Sequence, residues 1–296
     1  MLVKNIIACF PKEALYLNKY RKFVGPTYSG LGDIMQGIFF IKNISDEFGL
    51  NFFVDFSGSG FEDYVNDSCY KFNKPRPELV LKANAEHIEF IIKEHFHEDL
   101  FICCSGSSDY FPMQDDFDFK QILLNIFFSN KFNEFEIGSS SLHVRLGDNY
   151  ISERGFLSSF YSLPRYPFNP YKWFDFLSEK NKHNIILEWI SKNNLNFEFL
   201  SSDSYFLKKF LKKYKNFSSN TFAIKHSGLK SSTSKDCLFA LKDFQQLSFS
   251  NEINSIVSFP YGRRRSAFSS YARFLSPKQF GKDYYFDFDD NSIALL

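Results

Sequence analysis

The chain has 296 residues, a fifth of them aromatic with 40 Phe, and a formal net charge of +1. So much aromatic side chain excludes a disordered protein, and so little net charge removes the bulk electrostatic case for a nucleic-acid partner. Five cysteines, odd in number and without a CxxC spacing, argue against a disulfide or zinc framework and for reduced thiols in a cytoplasmic protein.

In chain order, residues 2–10 form an apolar run interrupted by Lys4 and too short for a signal peptide of the usual form. No later segment reaches the length of a membrane span. Apolar spacing over 34–48 suits a helix, and 51–56 (NFFVDF) a strand closed by Ser57-Gly58-Ser59-Gly60. Residues 83–97 read as a helix, 100–104 as a buried strand, 118–128 as a helix. Residues 140–146 read as a strand with Leu142, Val144 and Leu146 on one face. The second half predicts helix over 170–194, strand over 196–200, helix over 205–214, strand over 221–225, helix over 235–249, strand over 253–259, helix over 266–275 and a short strand over 284–288. Strands alternating with helices imply parallel sheets with both faces covered. Two such runs, broken near 131–139, predict two Rossmann-like domains, 1–135 and 136–275, with 276–296 as a tail packing on them. The aromatic, proline-interrupted stretch 155–169 follows the first strand of the second run, at the edge where open α/β sheets bind ligands.

Lysine outnumbers arginine by 26 to 9, so each arginine is the more informative cation. One sits in His143-Val144-Arg145-Leu146-Gly147-Asp148. Strand alternation puts His143 and Arg145 on the same face, where a guanidinium can fork onto a diphosphate and an imidazole can donate or stack beside it. A half-buried Arg145–Asp148 ion pair is the plainer account. A second motif, Ser29-Gly30-Leu31-Gly32-Asp33, opens a helix; its glycines permit close backbone approach and the helix start favours an anion. Asp33 is either a helix cap or a carboxylate beside the reacting sugar. A third, Ser201-Ser202-Asp203-Ser204, ends a strand; Asp203 can accept from nucleoside hydroxyls or cap the next helix. The fourth region holds Asp243, Ser258 and the run Arg263-Arg264-Arg265, three cations whose repulsion at a helix start an anion would relieve. Two acidic pairs, Asp116/Asp118 and Asp287/Asp289, and the pair His95/His97 have weak metal-ligand character.

HxRxGD after a strand resembles the donor motif of the fucosyltransferase superfamily: bacterial α-1,2-, α-1,6- and protein O-fucosyltransferases. The glycine turn, the Ser-Asp segment and the Asp-x-x-x-Leu helix from Asp243 resemble further family segments in the same order. The departures are Leu146, where many relatives carry a second Arg, Asp33 for an Asn, and Ser204 for a second Asp. The resemblance implies a GT-B architecture of two facing Rossmann-like domains, with acceptor on the first and GDP-fucose on the second. It implies an inverting, metal-independent transfer of fucose to a glycan or lipid-linked oligosaccharide, at the inner membrane face if the acceptor is lipid-linked, with no cofactor. Arg145 would hold the β-phosphate, with His143, Gly147, Asp148, Asp203, Asp243, Ser258, Arg263, Gly30 and Gly32 around the donor and Asp33 as candidate base. A GT-B enzyme using another nucleotide sugar, such as a GDP-heptose, and an inactive GT-B-like binding protein remain the alternatives.

Overall fold

The computed structural model of the chain describes residues 5–18, 21–27, 30–66, 68–78, 80–83, 85–94, 99–104, 111–112, 115–128, 140–146, 179–219, 233–258, 265–287 and 290–296. The expected strand over 221–225 and the stretch 155–169 lie outside them. The chain divides into two units, Met1–Phe135 with Lys225–Gln245, and Glu136–Ile224 with Gln246–Leu296. Each is built on one parallel-dominated sheet joined by helices, so the α/β class is what the structure shows in both units.

The first sheet contains β1 (Asn5–Cys9), β2 (Glu13–Asn18), β3 (Arg21–Pro26), β4 (Asn51–Asp55), β5 (Leu81–Ala83) and β6 (Leu100–Cys104), in the order β3-β2-β5-β6-β1-β4. Only β3 runs antiparallel to its neighbour. The central strand β1 reads NIIAC, and Ile6–Cys9 are wholly buried, as a strand covered on both faces requires. The β2–β3 hairpin was not expected, because its strands carry charged residues at their ends and no strong alternation. Residues 81–83 pair with β6 as strand β5, and the helix expected from 83 starts after them as α2 (Ala85–Glu94).

Helix α1 (Leu31–Phe48) buries Ile34, Met35, Ile38, Ile41 and Ile44 along one stripe. It ends at Gly49 in the left-handed conformation (φ 63°), and the Leu50 N–H closes onto the Ser45 carbonyl at 2.8 Å. At Gly37 an added Cβ would lie 2.3 Å from the Cys104 carbonyl, so the helix rests directly on β6. Helix α3 (Phe117–Phe127) is capped by Asp116, which accepts from the Phe119 N–H at 3.0 Å; that is what the first Asp of the Asp116/Asp118 pair does. Phenylalanine rings line this core. Phe10 meets Phe56 at 5.6 Å, Phe56 meets Phe127 at 5.9 Å, and Phe127 meets Phe244 at 6.3 Å. The Phe244 contact and a Gln245 side-chain bond to the Phe127 carbonyl (2.5 Å) draw most of a helix from late in the chain into the first unit.

The second sheet runs β11-β10-β9-β7-β8, from β7 (Ser140–Arg145), β8 (Phe199–Ser202), β9 (Glu252–Val257), β10 (Asp283–Asp287) and β11 (Ser292–Leu295). Only β11 is antiparallel. Residues 276–296, expected as a tail, thus supply two strands of the sheet. The helices are α4 (Glu179–Lys192), α5 (Tyr205–Leu211), α6 (Ser234–Ser248, the helix shared with the first unit) and α7 (Ala267–Leu275). Leu142, Val144 and Leu146 pack with Ile186, Ile190, Leu207, Leu211, Ile256 and Phe286. The other face of β7 carries Ser141, His143 and Arg145.

Just before β10, Gly281 (φ +132°) crosses Ile253, whose carbonyl oxygen would lie 1.8 Å from an added Cβ. Gly281→Ala combines this overlap with a backbone angle that L-residues rarely adopt. Its expected effect is a loss of about 3 kcal/mol or more, read as a lowered urea midpoint in tryptophan fluorescence.

Candidate functional site

Strand β7 is the branch point of the second sheet. The chain leaves it for β8 on one side and returns to β9 on the other. Loops at the carboxyl ends of β7 and β9 therefore diverge, and open α/β sheets bind ligands where strand order reverses in this way. His143 and Arg145 lie at this end. The two strand ends are tied together, since Ser258, fully buried, donates its N–H to the Arg145 carbonyl at 2.9 Å.

A polar row crosses the sheet beneath α7. By register, His143 lies opposite Ser201 of β8 and Ser255 of β9, and Ser255 opposite Asp283 of β10. His143 Nδ1 is 3.3 Å from Ser201 Oγ, and Nε2 is 3.5 Å from Ser266 Oγ. Its ring stacks on Phe268 at 5.2 Å. Burial lowers the imidazole pKa to about 3; Arg145 and Lys208 push the same way and Asp283 opposes them. His143 is therefore a neutral ring with one N–H to give, and Arg145 carries the positive charge at the strand end.

Asp283 anchors the other end of the row. Ser255 Oγ donates to it at 2.5 Å, and the Arg273 guanidinium forks onto both its oxygens at 2.9 Å. Arg273 also reaches the Ile253 carbonyl through Nε (3.2 Å) and Nη2 (2.9 Å). Burial pushes the Asp283 carboxyl up, but these donors outweigh it and hold the pKa below its usual range. Arg265 Nε lies 3.5 Å from the same carboxylate. Two arginines from either end of α7 thus converge on one buried acid and fix the helix over His143. Ser266, the N-cap of α7, makes no side-chain bond to the helix and faces the imidazole instead.

Asp203 closes the site on the β8 side, accepting from the Leu146 N–H at 3.0 Å. It does not cap α5; Ser204 does, accepting from Leu207 N–H at 3.0 Å. Leu146 itself is buried in the apolar core, so no cation is held at that position.

The structure thus gathers His143, Arg145, Asp203 and Ser258 in the second unit. Gly30, Gly32 and Asp33 belong to the first, at the start of α1, where the Asp33 carboxylate accepts from the Gly30 N–H at 2.9 Å. Asp243 was expected in the second domain. It is fully buried on α6 within the first unit, because the aromatic cluster around Phe244 holds that part of the helix. Gly147, Asp148, Arg263, His95, His97 and Asp289 lie outside the described residues. Ser201, Ser266, Phe268 and Asp283 were missed in the sequence, since only strand register brings them to His143. Among the described residues no three His, Cys, Asp or Glu side chains cluster as metal ligands, and no helix is long and apolar enough to cross a membrane. Burial raises the thiol pKa of Cys104 to about 12 and of Cys237 to about 11, so neither is a ready nucleophile.

No protein-family profile matches the chain, and no curated protein matches it. Among solved structures it is similar to NodZ α-1,6-fucosyltransferase soaked with GDP-fucose, at 15% identity over 99% of this chain and 98% of that one, with a TM-score of 0.47. It is similar to fucosyltransferase NodZ from Bradyrhizobium at 14% identity over 100% and 99%, TM-score 0.48, and to the selenomethionine form of that protein at 15% identity over the same shares, TM-score 0.49.

Burial also lowers the pKa of His183, to about 4. Unfolded histidine takes a proton near pH 6.5, but these two stay neutral in the fold until pH 3–4. The stability they contribute is therefore present above pH 6.5 and is lost as pH falls below it, by roughly 1.4 kcal/mol per pH unit for each ring. Urea midpoints measured between pH 6.5 and 5 should show His143→Gln with a slope shallower by about one histidine; an unchanged slope counts against a neutral His143.

Proposed function

We propose that the chain is a glycosyltransferase that takes L-fucose from GDP-fucose and passes it, with inversion and without a metal, to a glycan hydroxyl in surface polysaccharide synthesis on the cytoplasmic side of a bacterial membrane. The observation that carries this reading is the HxR pair at the carboxyl end of β7, at the branch point of the sheet, beside the amino end of α7. A guanidinium and the unsatisfied N–H groups of a helix start are complementary to a diphosphate.

In this reading Arg145 bears on the β-phosphate. The acceptor oxygen bonds to the anomeric carbon as the bond from that carbon to the β-phosphate oxygen breaks. The electron pair leaves with GDP, and the hydroxyl proton passes to a base. Charge grows on the departing phosphate, so a preorganised cation there acts most strongly in the transition state. Neutral His143 gives a hydrogen bond and packs the guanidinium's strand face without adding a second cation. Asp203, whose carboxylate accepts from the Leu146 N–H, is assigned to the nucleoside hydroxyls, and Ser258, Gly147, Asp148 and Arg263 are assigned to the donor side. Gly30, Gly32 and Asp33 form the acceptor side, with Asp33 the candidate base, while Asp243, fully buried in the first unit, is left out of the donor set. One observation favours a second reading. The buried Leu146 removes a cation from the motif, which fits a transferase with a different nucleotide sugar, such as a GDP-heptose.

Nucleotide release measured over a panel of nucleotide sugars decides between them. Release from GDP-fucose alone is the expected result; release from another donor selects the second reading, and none from any donor with varied acceptors leaves a binding protein. Arg145→Ala should lower kcat/KM for the donor by at least ~100-fold with the thermal midpoint kept. Full activity in that variant overturns the site.

A further inference from the structure

The side of the second unit formed by α5 and the turn after it has a use that the transfer chemistry does not require. Five of the eight residues 208–215 are lysine, and no Asp or Glu occurs from 204 to 219. Leu207 and Leu211 fix the inner side of the helix in the core. Backbone bonds from Lys213 to Phe210 and from Tyr214 to Leu211 continue the coil past the helix end. Lys209, Lys212 and Lys213 are all exposed on the outer side. Elsewhere lysines on this chain meet acids, as Lys42 does Asp46 and Lys74 does Asp99. Among the described residues these three have no carboxylate within ion-pair reach.

Two aromatic rings stand among these cations. Phe206 is 51% and Tyr214 60% exposed; the other strongly exposed phenylalanines among the described residues are Phe90, Phe117 and Phe280. Helical spacing puts Phe206, Lys209 and Lys213 along one stripe, with Lys212 and Tyr214 beside it. Neutral surface has no reason to collect three unpaired ammonium groups, and solvated charge has none to carry exposed aromatic rings. An anionic lipid interface satisfies both. Ammonium groups meet headgroup phosphates, while a phenyl and a phenol settle at the boundary between headgroups and acyl chains. The face is the outside of a helix and convex, which suits a flat bilayer better than a strand of nucleic acid, whose bases need a groove lined with stacking platforms.

We propose that the face formed by Phe206, Lys209, Lys212, Lys213 and Tyr214 docks this protein on a membrane surface rich in anionic phospholipid. The face begins three residues after Asp203 and runs back along α5 toward the amino edge of the sheet, where Lys215 lies beside Ser140 and Glu252, so docking sets the outer side of α5 on the lipid headgroups. The proposal stands apart from the donor assignment, and its test uses no nucleotide sugar.

The test is flotation of the full chain with vesicles of phosphatidylcholine carrying about one-third phosphatidylglycerol, against vesicles of phosphatidylcholine alone. Binding to the first and not the second is expected, weakening as salt screens the charges. Lys209→Glu, Lys212→Glu and Lys213→Glu together should lower partitioning by at least ~100-fold, since each lysine near such a surface is worth roughly a factor of five. All three side chains are exposed, so the thermal midpoint should hold. Phe206→Ser with Tyr214→Ser should lower partitioning by about tenfold. Equal binding to both vesicles, no flotation at low salt, or full binding by the lysine variant overturns the proposal. So does retention of single-stranded RNA that the lysine variant loses while no vesicle floats the wild type.

Discussion

Everything at the candidate site follows from the pleat of β7. Successive side chains of a strand point to opposite faces, so six residues cannot serve one environment. Leu142, Val144 and Leu146 take the core, and Ser141, His143 and Arg145 take what remains. That second face is covered by α7, so its polar groups lose water and need partners from the protein. The partners come sideways through the register, with Ser201, Ser255 and Asp283 aligned on one row. The same desolvation makes His143 neutral and leaves the positive charge on Arg145, half-buried at the strand end.

The row is held from above by arginine. Asp283 accepts from Arg273 and Ser255 and pairs with Arg265, so the carboxylate is compensated from three directions. A buried acid is costly alone and tolerable when its lone pairs are filled. The arrangement also explains one arginine of the unusual run at 263–265: Arg265 turns to Asp283 and serves the helix. It shows why Lys would not replace Arg273, whose fork spans both carboxylate oxygens and the Ile253 carbonyl at once.

Local patterns in the sequence carried further than distant ones. The strand at 140–146, its apolar face, the long helix after Gly30 and the parallel alternation were legible because two- and 3.6-residue periods are written in consecutive residues. The β2–β3 hairpin, β5 and β11 were not, since short or edge strands are specified by the neighbour they pair with. For the site, His143, Arg145 and Asp203 stood out through chemistry and position. Asp283 looked ordinary, because its role comes from pairing 28 residues away with Ser255. Asp243 was read into the wrong half, because helical periodicity says nothing of which core receives the apolar stripe, and Phe244 faces the aromatic cluster of the first.

That helix also sets an order of events. The first unit is incomplete without Lys225–Gln245, a segment made only after β7 and β8 of the second unit have been synthesised. Phe127 and the Phe56 ring beside it keep an unfilled neighbour position until Phe244 arrives. A chain emerging from the ribosome thus cannot finish its amino-terminal half first, as domains in series commonly do. Cutting the gene between residues 135 and 136 would separate neither unit, since each contiguous half would lack or carry a piece of the other. In inheritance as in folding, the two α/β units form a single transmissible object.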